Sequence, residues 1–248
     1  MKTWPLWQRI VIPLLIVLAV AVVGFFVWAN TPLAPTAEAL AALENDRAMQ
    51  VSESNGWIVF TPTTAAPVTG FIFYPGGRVD PRAYAPQVRA IADQGYLAVI
   101  VPMPLNLAVF GIDSAQRVID AYPDIQHWAI GGHSLGGSMA ARFVQSHPDS
   151  VQGLVFWASY PDIDLSGANI EAVSIYGTSD AVAQRGTITD SAARLPAGTP
   201  FVAIDGGNHS QFGAYGLQPG DNVASASAAD QLSQTVEATI SLLTAISE

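Results

Sequence analysis

A glycine-rich turn that carries one serine is the feature that most constrains how this sequence can fold. Residues 131–137 read Gly-Gly-His-Ser-Leu-Gly-Gly and follow the apolar run 128–130. A helical pattern comes next, with Met139 and Phe143 at helical spacing. Small residues let the main chain turn sharply from a strand into a helix and leave a serine hydroxyl projecting from the fold. The sequence therefore predicts a strand, a sharp turn and a helix, with Ser134 at the turn.

Apolar runs and helical patterns alternate on both sides of this turn. Predicted strands cover residues 57–60, 69–74, 97–101, 128–131, 151–157, 172–176 and 201–204. Predicted helices cover residues 81–95, 114–121, 134–147, 187–195 and 226–247. This alternation predicts an α/β fold with a mainly parallel sheet and helices on both faces. The interval between residues 157 and 172 is too short to hold an inserted cap domain.

Residues 10–28 form an apolar run that only Pro13 and Gly24 interrupt. At about 1.5 Å per residue, such a helix reaches roughly 28 Å, which is enough to span the hydrocarbon core of a bilayer. Aromatic residues flank the run, as at membrane interfaces: Trp4, Trp7 and Trp28. We therefore predict an N-terminal transmembrane helix rather than a buried core helix.

Two fates of this segment stay open from the sequence. An uncleaved signal anchor keeps the body at the membrane, whereas cleavage at Val27-Trp28-Ala29 releases a secreted protein. The run is longer than the apolar core of a signal peptide, about 7–15 residues, which favours the anchor. Positive charge before the run, at Lys2 and Arg9, and acidic residues after it predict a cytoplasmic N-terminus and an extracytoplasmic body.

The chain divides into three predicted segments. Residues 1–30 are the membrane anchor or signal segment. Residues 31–54 combine a proline-bearing linker with an alanine-rich juxtamembrane helix, and we assign them no chemistry. Residues 55–248 form the α/β domain.

Composition excludes several classes of function. The chain has no cysteine, so thiol nucleophiles and cysteine metal sites are excluded. Its four histidines contain no closely spaced ligand pair, and we predict no metal and no cofactor. The formal net charge is −10 and Lys2 is the only lysine, so nucleic acid and anionic lipid headgroups are poor partners.

An acid and a histidine follow Ser134 at the ends of predicted strands. Asp180 closes the segment Gly-Thr-Ser-Asp after strand 172–176, and His209 lies in Gly-Gly-Asn-His after strand 201–204. A serine hydroxyl needs a base within hydrogen-bond reach, and the base needs an orienting group. Functional groups of parallel sheets gather at the carboxyl ends of the strands. Ser134, Asp180 and His209 are therefore the candidate nucleophile, acid and base.

Two other acids compete with Asp180 for the orienting role. Asp162 and Asp164 follow the strand 151–157 and would lie at the same edge of the sheet. The remaining candidates are structural: His133, before the serine, is expected to pack or cap. The apolar loop 103–110 either lines an acyl pocket or covers the core.

Residues 57–247 resemble a compact α/β-hydrolase without a cap, similar to the dienelactone hydrolases. The resemblance is carried by Gly-x-Ser-x-Gly at 132–136, by the turn 177–180 and by the turn 207–209. It implies that Ser134 is the nucleophile, His209 the base and Asp180 the acid. The serine departs from the dienelactone type, whose nucleophile is commonly cysteine, so the substrate of that subgroup is not implied.

The α/β-hydrolase fold also implies an oxyanion hole built from two main-chain N–H groups. The residue after the nucleophile, Leu135, supplies one of them. The second comes from the loop 75–78, where we favour Gly77 over Gly76 and Arg78; an ordinary strand-to-helix turn is the alternative for this loop. Tyr160 at a strand end is a further candidate for the substrate site.

The expected function is a serine hydrolase that acts on a carboxylic ester or thioester through an acyl-enzyme. Its partners are a small-molecule acyl substrate and, through residues 10–28, the membrane. An acyltransferase or a peptidase would use the same three residues. From another class, a non-catalytic membrane-tethered binding domain with the same fold is the alternative. Neither the acyl chain length nor the oligomeric state follows from the sequence.

Overall fold

The computed structural model describes residues 5–248, so Lys2 and Trp4, on which the charge and aromatic predictions partly rest, lie outside the described residues. Helix α1 (Leu6–Ala29) has 24 residues and continues through Pro13. It contains the whole run 10–28 and reaches about 36 Å at 1.5 Å per residue. The helix is long and apolar enough to cross a membrane, and its apolar stretch is not buried against the rest of the chain.

Within residues 5–248, eight strands form one mixed sheet in the order β1-β2-β4-β3-β5-β6-β7-β8. The strands are β1 (Met49–Ser54), β2 (Trp57–Pro62), β3 (Thr69–Tyr74), β4 (Leu97–Ile100), β5 (His127–His133), β6 (Gly153–Trp157), β7 (Glu171–Gly177) and β8 (Phe201–Ile204). At one edge, β1 and β2 pair antiparallel to each other, and β2 pairs antiparallel to β4. From β4 to β8 across the sheet, every pair is parallel, which confirms the predicted mainly parallel sheet.

Helices cover both faces of the sheet, as predicted. They are α2 (Ala37–Ala41), α3 (Ala85–Ala92), α4 (Ser114–Ala121), α5 (Leu135–Ser146), α6 (Arg185–Asp190) and α7 (Ala228–Ser247). On one face, Val88 of α3 belongs to the same buried cluster as Phe73. On the other face, Phe143 of α5 belongs to the cluster of Ile72. Successive side chains of a strand point to opposite faces, so these neighbours on β3 mark the two layers of the core.

The sheet extends beyond the predicted start of the α/β domain at residue 55. Strand β1 pairs with β2 from Met49↔Pro62 to Ser54↔Trp57, so Asn55 and Gly56 alone connect them. Both residues have positive φ, 54° and 81°, as a type I′ hairpin turn requires. The predicted boundary therefore falls within a hairpin. An Asn-Gly pair is typical of such a hairpin, but the sequence interpretation missed it.

The predicted juxtamembrane helix over residues 36–49 is much shorter in the structure. Helix α2 spans five residues, and the side chain of Thr36 caps its start by accepting a hydrogen bond from the Ala39 N–H. The side chain of Asp46 accepts hydrogen bonds from the N–H groups of Ala48 and Met49, which turns the chain into β1. The segment is thus packed on the domain through local polar turns, which compete with helix formation.

The topology brings the predicted functional segments to one edge of the sheet. We call this the carboxyl edge: the loops that follow β3, β4, β5, β6, β7 and β8. Strand β5 lies at its centre, where Gly132 pairs with Tyr74 of β3 on one side and with Phe156 of β6 on the other. Parallel strands end on the same side, so Ser134, Asp180 and His209 all lie at this edge.

Candidate active site

The serine turn between β5 and α5 has the strained geometry that the glycine pattern predicted. Ser134 has φ 51° and ψ −121°, a conformation that non-glycine residues rarely adopt. A Cβ atom at Gly136 would overlap the carbonyl oxygen of Tyr74, and one at Gly132 would overlap the main chain of Gly136. The chain can turn this tightly only because both positions lack a side chain.

Neighbouring strands and serines hold Ser134 in this conformation. Its N–H donates to the carbonyl oxygen of Trp157 at 3.0 Å, and its carbonyl oxygen accepts from Ser159 Oγ at 2.6 Å. Ser138 Oγ donates to the carbonyl oxygen of Tyr160 at 2.8 Å. The sequence interpretation missed Ser138 and Ser159, because nothing local in the sequence indicates that β6 ends beside the turn. The bonds to Trp157 and Ser159 stabilise a strained residue that local sequence alone could not maintain.

Asp180 and His209 are hydrogen-bonded to each other. The distance from Asp180 Oδ2 to His209 Nδ1 is 2.8 Å, and both side chains are almost completely buried. The other carboxylate oxygen, Oδ1, accepts the N–H groups of Val182 and Ala183 at 2.7 Å each. These bonds hold the carboxylate in place, and Nε2 is the ring nitrogen that is not bonded to the acid.

The competing acids have other partners. Asp162 forms an exposed ion pair with Arg142, at 2.6 Å. Asp164 caps its own loop by accepting a hydrogen bond from the Ser166 N–H, and this bond holds the pKa of Asp164 below its usual value. Neither carboxylate is hydrogen-bonded to His209, whereas Asp180 is.

Two polar residues that the sequence interpretation missed hold the His209 loop. Gln231 of α7 accepts from the Asn208 N–H and donates to the Asn208 carbonyl oxygen, and it is fully buried. Asp221 Oδ2 accepts from both the N–H and the hydroxyl of Ser210. The position of the imidazole therefore depends on a helix and a loop that lie later in the chain than the histidine itself.

The ring of His209 lies close to the serine turn. Its centroid is 4.3 Å from that of His133, the residue directly before Ser134. In the part of the chain that the structure describes, the Ser134 hydroxyl is not hydrogen-bonded to the imidazole. Such bonds are often long in structures without substrate and shorten when substrate binds.

The loop after β3 offers one unpaired N–H group next to the serine turn. The Gly76 N–H donates to the hydroxyl of Tyr84 at 3.0 Å, and the Arg78 N–H donates to the carbonyl oxygen of Asn106 at 2.8 Å. In the described part of the chain, the Gly77 N–H has no acceptor. A Cβ atom at Gly77 would lie 3.2 Å from the side chain of Leu135, so the two residues are in contact. Leu135 is the first residue of α5, where N–H groups lack acceptors within the helix.

Tyr84 and His133 connect this loop to the histidine loop. The Tyr84 hydroxyl accepts the Gly76 N–H and forms a second hydrogen bond with His133 Nδ1, at 2.9 Å. Among the described residues, His133 Nε2 is buried with no hydrogen-bond partner, and it lies near the main chain of His209. Burial, reinforced by the nearby His209, holds the pKa of His133 well below its usual value. His133 therefore packs as a neutral ring, in line with the predicted structural role.

This burial makes folding stability depend on pH. The folded protein keeps His133 neutral, while the unfolded chain binds a proton at this residue below about pH 6.5. We therefore expect the free energy of unfolding to be unaffected by His133 above about pH 6.5. Below that pH, His133 should lower the free energy of unfolding by up to about 1.4 kcal/mol per pH unit. Urea unfolding of the full chain in detergent between pH 7.5 and 5 measures this slope. His133→Gln should flatten the curve, and an unchanged slope would contradict the assignment.

The remaining two candidates for the substrate site have different surroundings. Tyr160 lines a cleft of about 250 Å³ together with Ser134, Leu135 and Val182. The guanidinium of Arg78 donates to the carbonyl oxygens of Trp28 and Thr31, at 2.8 Å each, so it is engaged with the end of α1 rather than free for a substrate group.

The sequence matches a known protein family. A family model described as the alpha/beta hydrolase family matches residues 70–233, about two-thirds of the chain. The chain belongs to the α/β-hydrolase family. Membership of this family supports a hydrolase. The matched residues include the serine turn, Asp180 and His209. No curated protein matched the sequence in the comparison made. Among the described residues, no group of three histidine or carboxylate side chains is placed to hold a metal ion.

Proposed function

We propose that the protein is a serine hydrolase that cleaves a carboxylic ester or thioester with Ser134 as nucleophile, His209 as base and Asp180 as orienting acid. The observation that carries this proposal is the buried 2.8 Å hydrogen bond between Asp180 and His209 beside a strained serine turn. A buried acid–histidine pair is costly to desolvate unless each partner satisfies the other. Next to a projecting hydroxyl, such a pair fits the requirements of an activated nucleophile.

In the proposed reaction, His209 Nε2 accepts the proton of the Ser134 hydroxyl while Oγ attacks the acyl carbonyl carbon. The resulting oxyanion binds the N–H groups of Leu135 and Gly77, and the N-terminus of α5 adds a favourable dipole. His209 then protonates the leaving alcohol or thiol, and the bond between the acyl carbon and the ester oxygen or thioester sulfur breaks. Water, activated by the same imidazole, attacks the acyl-enzyme and releases the acid. Asp180 stabilises the imidazolium throughout without being protonated.

The geometry supports this donor pair for the oxyanion hole. Of the three N–H groups in the loop 76–78, those of Gly76 and Arg78 already have acceptors, which leaves that of Gly77 for a ligand. The contact between Gly77 and Leu135 brings this donor next to the residue that follows the nucleophile. A substrate carbonyl oxygen bound at this point would accept hydrogen bonds from both main-chain donors.

A panel of p-nitrophenyl esters of increasing acyl length tests the reaction class. We expect the full chain in detergent to hydrolyse at least the shorter members, and Ser134→Ala to hydrolyse none above the spontaneous rate. A competing alcohol or amine in the same assay would divert the acyl group in an acyltransferase. A peptide substrate cleaved in preference to all esters would indicate a peptidase. If no ester, thioester or peptide reacts, the binding-domain alternative replaces the enzyme.

We further propose that α1 is retained as an anchor and that the hydrolase domain lies outside the cytoplasm. Cleavage after Ala29 would remove Trp28 and Ala29, whose carbonyl oxygens accept hydrogen bonds from Arg78 and Asn106. Ala29 is completely buried. A segment destined for removal has no need to satisfy side chains of the folded body, so these contacts favour retention.

Intact-mass measurement on protein purified from membranes tests this anchor. We expect the mass of the uncleaved chain, and we expect protease added outside sealed cells to digest the body. A mass that begins at Asn30 would establish the secreted alternative instead.

A further inference from the structure

Helix α1 joins the domain at the carboxyl edge, the same edge that carries the proposed active site. Arg78, in the loop after β3, donates to the carbonyl oxygen of Trp28 and stacks over its ring at 4.4 Å. Asn106, in the loop after β4, donates to the carbonyl oxygen of Ala29 at 2.9 Å. Leu33 then forms a β-bridge with Val79. The end of the helix is therefore attached to two loops of the carboxyl edge, the one after β3 that holds Gly77 and the one after β4.

Exposed apolar side chains gather at this edge. They come from the loops after β4, β7 and β8, and we call them the apolar rim: Val109, Phe110, Val182, Leu217 and Val223. Phe110 is 54% exposed, Leu217 55% and Val223 79%. In the described part of the chain outside α1, the other large exposed apolar side chains are Leu40 in α2 and Val68, directly before β3 at the opposite edge. Five of the seven large exposed apolar side chains of the described chain outside α1 thus lie in loops of the same edge, which is typical of an interaction surface.

A cleft connects the end of α1 with the proposed oxyanion loop. It has a volume of about 460 Å³ and is lined by Trp28, Leu107 and Pro219 as well as by Gly77. The loop 103–110 thus has two roles. Leu107 lines this cleft, while Val109 and Phe110 face outward.

We infer that the carboxyl edge lies against the extracytoplasmic surface of the bilayer and that the active site takes its acyl substrate from the membrane. This rests on the proposed serine hydrolase and on retention of α1. The anchor leaves the domain beside Gly77, so a bilayer that contains α1 is adjacent to the apolar rim. Burying the rim in the headgroup region removes apolar surface from water. The net charge of −10 disfavours an anionic surface, so we expect the domain to associate better with zwitterionic headgroups.

This orientation predicts the class of substrate. An ester of a long-chain amphiphile resides in the leaflet with its acyl chain in the hydrocarbon and its carbonyl near the interface. From there, its carbonyl would enter the cleft between α1 and the loop that holds Gly77 without crossing bulk water. A short, water-soluble ester gains nothing from the bilayer.

Single-cysteine labelling tests the orientation without reference to catalysis. The chain has no cysteine, so Val109→Cys, Phe110→Cys and Val223→Cys each create one labelling site. Val68→Cys is the matched control, because Val68 is as exposed as Phe110 but lies at the opposite edge. The full chain is labelled with bimane and placed in phosphatidylcholine vesicles that contain doxyl lipid. Rim labels should lose about half of their emission, as expected for groups within the interface, and the Val68→Cys label should lose none. Unquenched rim labels, or equal quenching at Val68, would overturn the orientation.

A second assay in the same vesicles tests the substrate class. A long-chain ester dissolved in the bilayer is compared with a short soluble ester. The double variant Leu217→Asp with Val223→Asp should lower turnover of the bilayer ester about tenfold and leave the soluble ester unchanged, because carboxylates resist the interface. Val68→Asp should change neither rate. A quenched rim combined with equal turnover of the two esters would overturn the substrate class. Ester turnover that survives Ser134→Ala would overturn the proposed function and leave the labelling result standing.

Discussion

Ser134→Ala is expected to abolish covalent labelling by a fluorophosphonate probe and to lower ester turnover by roughly 10⁶-fold. The probe reacts only with a serine whose proton a neighbouring base can remove. Ser134 is the serine at the strained turn, and its neighbour His133 lies against the ring of His209. Alanine keeps the Cβ atom and both main-chain hydrogen bonds of Ser134, so the variant should fold like the parent. Gel fluorescence on the full chain in native membranes measures the labelling.

Ser138→Ala is the matched control for this experiment. Ser138 lies one helical turn after Ser134, and its hydroxyl is already donated to the carbonyl oxygen of Tyr160. This variant should still be labelled because its nucleophile is intact. Loss of labelling in Ser138→Ala together with persistence in Ser134→Ala would reassign the nucleophile.

Asp180→Asn should lower kcat by about 10⁴-fold while leaving the fold in place. The carboxylate accepts the Nδ1–H of the imidazole, which keeps Nε2 free to receive the serine proton. An asparagine amide can donate to Nδ1 instead, and the ring would then carry its proton on Nε2, where it cannot act as a base. The oxygen of asparagine can still accept the N–H groups of Val182 and Ala183. Single-turnover kinetics with a p-nitrophenyl ester measure the chemical step directly.

Asp164→Asn and Asp162→Asn are the matched controls, since both residues are acids from the loop after β6. Each has a surface partner in the structure, so each substitution should change kcat by less than about threefold, as exposed interactions of this kind contribute little. A larger loss in Asp164→Asn than in Asp180→Asn would transfer the orienting role to Asp164.

Most elements of the fold could be predicted because their signals are local. Parallel strands such as β3, which is buried throughout, and the edge strand β8 appear as short apolar runs between turn residues, and their predicted bounds agree with the structure. The edge strand β1 was missed. Its sequence MQVSES has only one buried apolar residue, Met49, because an antiparallel edge strand has little core to fill. The turn at Asn55 and Gly56 was the better indicator of this strand.

What the sequence determined by itself is the serine turn. Glycines at 132 and 136, an apolar run before them and a helical pattern after them specify a sharp bend within about ten residues, because steric limits on the main chain act locally. Chain order also proposed an acid and a histidine at strand ends. It favoured Asp180 as the acid and kept Asp162 and Asp164 as alternatives, because the order of residues does not show which carboxylate meets the histidine.

Only the tertiary structure decided which groups meet. Hydrogen bonds pair Asp180 with His209 and give the N–H groups of Gly76 and Arg78 to Tyr84 and Asn106. Within residues 5–248, the N–H of Gly77 has no acceptor. The same structure directs Arg78 to the end of α1, a contact between residues 50 positions apart in the chain. Such pairings depend on how strands and loops distant in sequence are brought together at one edge of the sheet, and side-chain hydrogen bonds act over only about 3 Å. The turn is therefore a local property of the sequence, whereas the site around it is a property of the fold.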